Sequence, residues 1–196
     1  MIDDQVYDYI DNIQPRKHTI LFYEEPETAR LIEYRFMKNG LNKGEHCIYM
    51  VQQAQNLNVD FIEQEMMRNG INVPLFKEKN LLHLYEVVEA KPNHLEDAIT
   101  ISQKVFDRLL DLKQPLRGVQ PPMVREYDAD GMDTELQVEN YLHGVLQGIN
   151  CSWICHYYLE DIELHVGERW MNELLRHHHT AIYAPKLSNA IVMNLS

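Results

Sequence analysis

The sequence predicts an α/β domain, a mostly parallel sheet with helices on both faces. Short apolar runs of strand length alternate with longer segments whose apolar residues recur every three or four positions. The links between runs are long enough for helical crossovers, which parallel strands require. The first unit sets the pattern: His18-Thr-Ile-Leu-Phe-Tyr23, the turn Glu24-Glu25-Pro26-Glu27, then a helix bearing Ala29, Ile32 and Phe36. Nucleotide-binding α/β domains begin this way. A phosphate cradle, however, needs close backbone approach and a positive helix N-terminus. This turn has three carboxylates, no glycine and no lysine. It reads as a nucleotide-binding architecture without a Walker A motif, which points to sensing or regulation rather than ATP chemistry.

The elements follow in order. Strand 1 is about Thr19–Tyr23, and Pro26 suits the first turn of the helix behind it. Asn39-Gly40 reads as the end of that helix. A strand at Cys47–Val51, a helix at Val59–Arg68 ending on Asn69-Gly70, and a strand at Leu81–Val88 come next. Asn93 and Glu96 open a long helix carrying Leu95, Ile99, Ser102, Phe106 and Leu109. Leu116–Val119 is a weak strand, and Pro121-Pro122 beyond it reads as an edge, a bulge or a loop. Tyr127–Asp133 reads as a polar loop, and Thr134 with Gln137 as a capping box for the next helix. Ser152–Tyr158 is a strand. Ile162, Val166, Trp170 and Leu174 mark one further helix, before late strands at Thr180–Tyr183 and Ala190–Met193.

All 196 residues read as a single domain. The formal net charge of -12 repels nucleic-acid backbone and anionic membrane, so no direct nucleic-acid or membrane partner is expected. The acidic start Met1-Ile-Asp-Asp-Gln lacks a signal core, and three cysteines, Cys47, Cys151 and Cys155, read as reduced cytoplasmic thiols.

Ligands of open α/β sheets bind outside the carboxyl ends of the strands. Those ends carry Tyr23-Glu24, Gln52-Gln53, Tyr85-Glu86, Arg125-Glu126 and Tyr157-Tyr158. The expected pocket is lined by Tyr23, Tyr85 and Tyr157, with Glu24 and Glu86 as polar anchors, and suits a small, partly apolar organic ligand. The alternative is that these tyrosines merely end strands with wet hydroxyls.

The cysteines and histidines invite a metal, and spacing argues against one. On one strand Cys151 and Cys155 share a face but lie roughly 13 Å apart, while His156 points the other way. No pair can share a zinc without a distant partner. Cys155 reads as a small buried hydrophobe and, being near the strand's carboxyl end, as the best thiol for a ligand contact. His177-His178-His179 do not converge on a helix, where successive residues point about 100° apart; they read as caps for a helix end. His18, at the amino end of strand 1, reads as a structural hydrogen-bonding histidine. No metal and no cofactor are expected. A Cys–His enzyme needs thiol beside imidazole, and no pattern supplies a histidine for Cys155.

Several segments together resemble the MEDS family, the methanogen/methylotroph sensory domain. They are His18-Thr-Ile-Leu-Phe-Tyr-Glu24, Asn39-Gly-Leu-Asn-Lys-Gly-Glu-His-Cys-Ile-Tyr-Met50, Glu139-Asn-Tyr, Trp153-Ile-Cys-His-Tyr157 and Leu174-Leu-Arg-His-His-His-Thr-Ala-Ile-Tyr183. The resemblance spans about residues 17–185. It implies a RecA/KaiC-like three-layer core that has lost its phosphate loop. It also implies a sensor of small organic molecules, of a kind often joined to signalling or transcriptional output domains, and it raises His18 and His178 to functional candidates. His178 or His179 stands where the family's proline is typical. The reading is therefore a non-enzymatic cytoplasmic sensor that signals through a partner protein, with homo-oligomerisation open. The alternatives are an enzyme using Glu24, Glu86 or Glu126 as acid/base, or a protein-interaction module. A pair of interacting carboxylates with raised pKa in a closed pocket would favour the enzyme.

Overall fold

Strand-length apolar runs can all be buried only if both faces of their sheet are covered. The computed structural model describes residues 4–52, 57–87, 95–113, 115–124, 129–165, 167–186 and 188–195. In chain order the elements are α1 (Asp4–Asp11), β1 (His18–Tyr23), α2 (Pro26–Lys43), β2 (His46–Gln52), α3 (Val59–Arg68), α4 (Val73–Glu78), β3 (Leu82–Val87), α5 (Leu95–Leu110), β4 (Leu116–Gln120), α6 (Ala129–Gly148), β5 (Cys151–Tyr158), α7 (Leu159–His165), α8 (Gly167–Arg176), β6 (Thr180–Ala184) and β7 (Ile191–Asn194). The sheet runs β3-β2-β4-β5-β1-β6-β7. Every neighbouring pair is parallel except β6 with β7. Side chains of α1 to α4 pack on one face with Leu21, Tyr49 and Ile154. Those of α5 to α8 pack on the other with Ile20, Trp153, Cys155 and Tyr157. The result is the expected three-layer α/β sandwich.

Four expectations need correction. Asn39-Gly40 does not end α2; the helix runs on to Lys43, and Gly44 closes it in the left-handed conformation at φ 78°. Gly40 is small for packing instead, since a Cβ there would lie 2.5 Å from Arg117 Cδ and 2.7 Å from Cys47 Sγ. The weak strand, β4, is central rather than an edge, because Pro121 and Pro122 fall beyond its last ladder residue. Thr134 lies within α6, not at its start, and its hydroxyl donates to the Asp130 carbonyl at 2.8 Å. The helix read through Ile162, Trp170 and Leu174 is two helices, α7 and α8. The expected cap at Asn93, and Val166, lie outside the described residues.

Centrality makes β4 intolerant of side-chain bulk. Gly118 pairs with Trp153 of β5, and a Cβ on it would meet the indole at 2.0 Å. Trp153 is fully buried, so it has no room to yield. Gly118→Ala is expected to cost at least the upper end of the roughly 1–3 kcal/mol typical of overpacking. Urea unfolding measures it; a neutral result would mean the ring has space elsewhere.

Candidate functional site

The register of β1 and β5 sets the site. His18 lies opposite Trp153, and Ile20 opposite Cys155. Alternation along a strand puts His18 on the same face as Ile20, and Cys155 on the same face as Tyr157. That face receives α6, where Glu135 and Glu139 stand one turn apart on an otherwise apolar stripe with Val138 and Leu142. The turn after α8 brings in His178. His18, Glu139, Cys155 and His178 are all buried, and one donor atom from each lies within 4.8 Å of the others.

The tautomers follow from the backbone. His18 Nδ1 lies 2.8 Å from the His177 carbonyl oxygen, and His178 Nδ1 lies 2.8 Å from that of Leu174. A carbonyl only accepts, so both Nδ1 atoms carry the proton and both Nε2 atoms turn lone pairs inward. His18 Nε2 is 3.2 Å from Cys155 Sγ and 3.5 Å from Glu139 Oε2. His178 Nε2 is 3.6 Å from the same oxygen, and Cys155 Sγ is 3.7 Å from it. Burial holds His18 well below the usual imidazole range and brings His178 down to about 3. Both are therefore neutral, and their contacts with Glu139 are not ion pairs.

A second carboxylate backs the first. The Tyr157 hydroxyl stands between Glu135 Oε1, at 2.9 Å, and Glu139 Oε1. Glu135 Oε2 accepts the backbone N–H groups of Met123 (2.9 Å) and Val124 (3.2 Å). Burial raises both carboxyls, with the Glu139 charge adding to the rise at Glu135. One phenolic proton cannot serve two carboxylates, so the pair is suited to retaining a proton between them.

On the opposite face, His156 Nδ1 meets Glu33 Oε1 at 2.5 Å, and Glu33 Oε2 accepts the Tyr49 hydroxyl at 2.5 Å. Adjacent residues of one strand thus supply two separate buried polar clusters.

Of the residues expected from sequence, the fold brings together His18, Cys155, Tyr157 and His178. It does not bring the other strand ends to them. Tyr23 packs edge-on to His156 at 5.8 Å and beside Tyr158 at 5.6 Å, towards α2. Glu24 and Glu86 are exposed. Tyr85 is on edge strand β3, four strands from β1, which at about 4.8 Å per strand is roughly 19 Å away. The three tyrosines therefore do not line one crevice, and Tyr157 points into the core with its hydroxyl on carboxylates. Gln53, Arg125 and Glu126 lie outside the described residues. The expectation that no histidine stands beside Cys155 is also corrected, since His18 does. Sequence reasoning missed Glu135 and Glu139 as site residues, although two carboxylates at i, i+4 inside an apolar helical stripe are a readable signal.

Two clefts flank these layers. One, of about 210 Å³, lies between α6 and α8 and is lined by Met132, Leu136 and Trp170 among others. The Trp170 ring packs edge-on to Tyr157 at 5.8 Å, and its Nε1 donates to the Met132 carbonyl at 3.1 Å. Trp170 thus lines the cleft and packs on Tyr157, whose hydroxyl meets the carboxylates. The other cleft, about 320 Å³, lies across the sheet between α1 and α2, with the Asp11–Arg35 ion pair in its wall. It is larger, and Asn39 joins Arg35 on the Asp11 carboxylate in its wall. Among the described residues, no helix is long and apolar enough to cross a membrane.

Residues 17–179 match the sequence profile of MEDS, the methanogen/methylotroph, DcmR sensory domain. The chain belongs to the MEDS family. All of His18, Glu135, Glu139, Cys155, Tyr157 and His178 fall inside the matched MEDS region. A KaiC-like protein, PH0186, from the hyperthermophilic archaeon Pyrococcus horikoshii OT3 superposes with a TM-score of 0.61 at 10% identity, covering 92% of the MEDS chain and 79% of the other. At that identity the likeness concerns the fold, which is the KaiC-like α/β sandwich. No curated protein matches the chain.

Proposed function

We propose that this sensory-family domain reads a small organic molecule at the buried cluster formed by His18, Glu135, Glu139, Cys155, Tyr157 and His178, and passes the signal to a partner protein in the cytoplasm. One observation carries the reading: two neutral imidazoles, a thiol and two carboxyls converge inside an otherwise apolar core. Burying uncompensated polar groups is costly, and such sites cluster where function requires them. The cluster also joins β1, β5, α6 and the end of α8, so occupancy would bear on how those helices sit. The adjoining cleft is smaller than the roughly 300–1,000 Å³ of drug-sized sites, which favours a ligand of few heavy atoms entering past Trp170.

A thermal-shift screen of small organic molecules, with Mg-ATP as a separate arm, tests the reading. A binder at 100 times its dissociation constant stabilises the fold by about 2.7 kcal/mol. Tyr157→Phe is expected to weaken it, and Mg-ATP to give no shift because Glu24, Glu25 and Glu27 occupy the turn after β1. A binder indifferent to Tyr157→Phe and to Glu139→Gln would place the site elsewhere.

The coupled Glu135–Glu139 pair favours a second reading, an acid/base enzyme acting on a small substrate. It uses these two residues rather than Glu24, Glu86 or Glu126. Turnover of a binder found in the screen, abolished by Glu135→Gln, would favour this reading over the sensor.

A further inference from the structure

We infer that His18 Nε2, His178 Nε2, Cys155 Sγ and Glu139 Oε2 form a site for one divalent first-row transition metal, zinc by the chemistry of the donors. The inference deepens the reading of the same cluster.

The spacing fits. A tetrahedron with metal bonds of about 2.0–2.3 Å has edges of about 3.3–3.6 Å. The measured edges are 3.2, 3.5, 3.6 and 3.7 Å. The remaining two lie within 4.8 Å. Nitrogen, thiolate sulfur and carboxylate oxygen together are the donor types zinc takes.

The surroundings fit as well. A metal-bound histidine donates its other ring N–H to a carbonyl or carboxylate, which fixes the tautomer. His18 and His178 both do so, to His177 and Leu174. The Tyr157 hydroxyl holds the second oxygen of Glu139 in the same manner.

Both imidazole Nε2 atoms turn lone pairs to the centre, beside the Glu139 oxygen and the Cys155 sulfur. His178 Nε2 is buried with no hydrogen-bond partner. Binding a metal turns every one of these lone pairs into a bond and releases the Cys155 proton to solvent.

Half-buried His143, His177 and His179 adjoin the cluster, with ring centroids 5.8 Å between His18 and His143 and 5.4 Å between His143 and His179. Along β5 alone Cys155 has no second donor and needs a distant partner. The fold supplies three, from β1, α6 and the turn after α8.

The test is a cobalt(II) titration of the tag-free, chelator-stripped protein, followed by competition with zinc. One equivalent of cobalt is expected to give the visible bands of tetrahedral coordination and a thiolate-to-cobalt charge-transfer band, both erased by zinc. Cys47→Ser/Cys151→Ser is expected to keep both bands. Cys155→Ser is expected to lose the charge-transfer band, and it and His178→Gln to bind at least about a hundredfold more weakly, since loss of an outer-shell partner alone costs 10–100-fold. Absence of tetrahedral cobalt bands in the unmodified protein overturns the inference, as does a charge-transfer band that survives Cys155→Ser. The titration needs no organic ligand, so its outcome is separate from that of the ligand screen.

Discussion

Arg117→Met is expected to destabilise the fold by about 3 kcal/mol, the low end of the 3–5 kcal/mol lost when one member of a buried ion pair is removed. Arg117 lies on central strand β4, buried, with its Nε paired to Glu45 and its Nη1 donating to the Phe36 carbonyl at 3.1 Å. Its guanidinium stacks on the Phe36 ring at 4.9 Å. Methionine keeps the aliphatic volume and leaves Glu45 and the carbonyl without their donor. The Glu45 side chain is 15% exposed and can turn towards water, which is why the low end applies. For a domain of this size 3 kcal/mol lowers the melting temperature by about 6–12 °C. Adding Glu45→Gln should recover part of the loss, and the double-mutant cycle measures how much of it is the pair. If Arg117→Met were neutral, the pair would contribute nothing beyond packing.

Arg117 also shows what sequence could and could not disclose. Elements built from uninterrupted apolar runs were readable: β1, β2 and β5 fall within a residue of the expected bounds, and α3 matches Val59–Arg68. A strand with a charge at its second position and two prolines after it reads as peripheral, because nothing local says that Glu45 and Phe36 will meet that charge. Gly40 misled for the same reason: the demand for a small residue comes from Arg117, far along the chain. The site divides likewise. His18, Cys155, Tyr157 and His178 stood out by residue type and by resemblance to MEDS, yet the pocket drawn from strand ends placed Tyr157 on the rim. Strand periodicity gives which residues share a face, but not which face receives α6. The distances that make four residues one cluster arise from β1 lying beside β5 and from the turn after α8, and pairing order is not a local property of sequence.

The two carboxylates of α6 should respond to substitution with opposite signs. Glu135 is built in: its Oε2 accepts two backbone N–H groups, from Met123 and Val124. Glu135→Leu strands both donors, and a buried unsatisfied donor costs about 1–3 kcal/mol. Glu139, one turn on, accepts no backbone group among the described residues; its Oε2 faces the two imidazole Nε2 atoms and a thiol. Glu139→Met removes a fully buried carboxyl, keeps volume, and leaves the Tyr157 hydroxyl donating to Glu135 at 2.9 Å. Burying a polar group without full compensation costs about 1–3 kcal/mol, and an apolar replacement of the same volume returns that cost. A gain of about 2 kcal/mol is expected for the chelator-stripped protein, a rise of roughly 4–8 °C in melting temperature. The same change should abolish the cobalt bands and the response to organic ligands. Stability that rises as binding disappears is the behaviour of a group kept for function at a cost to the fold. Should Glu139→Met instead melt lower than the parent, both measured after stripping, the carboxyl would be a structural hydrogen-bonding group and the cluster part of the core.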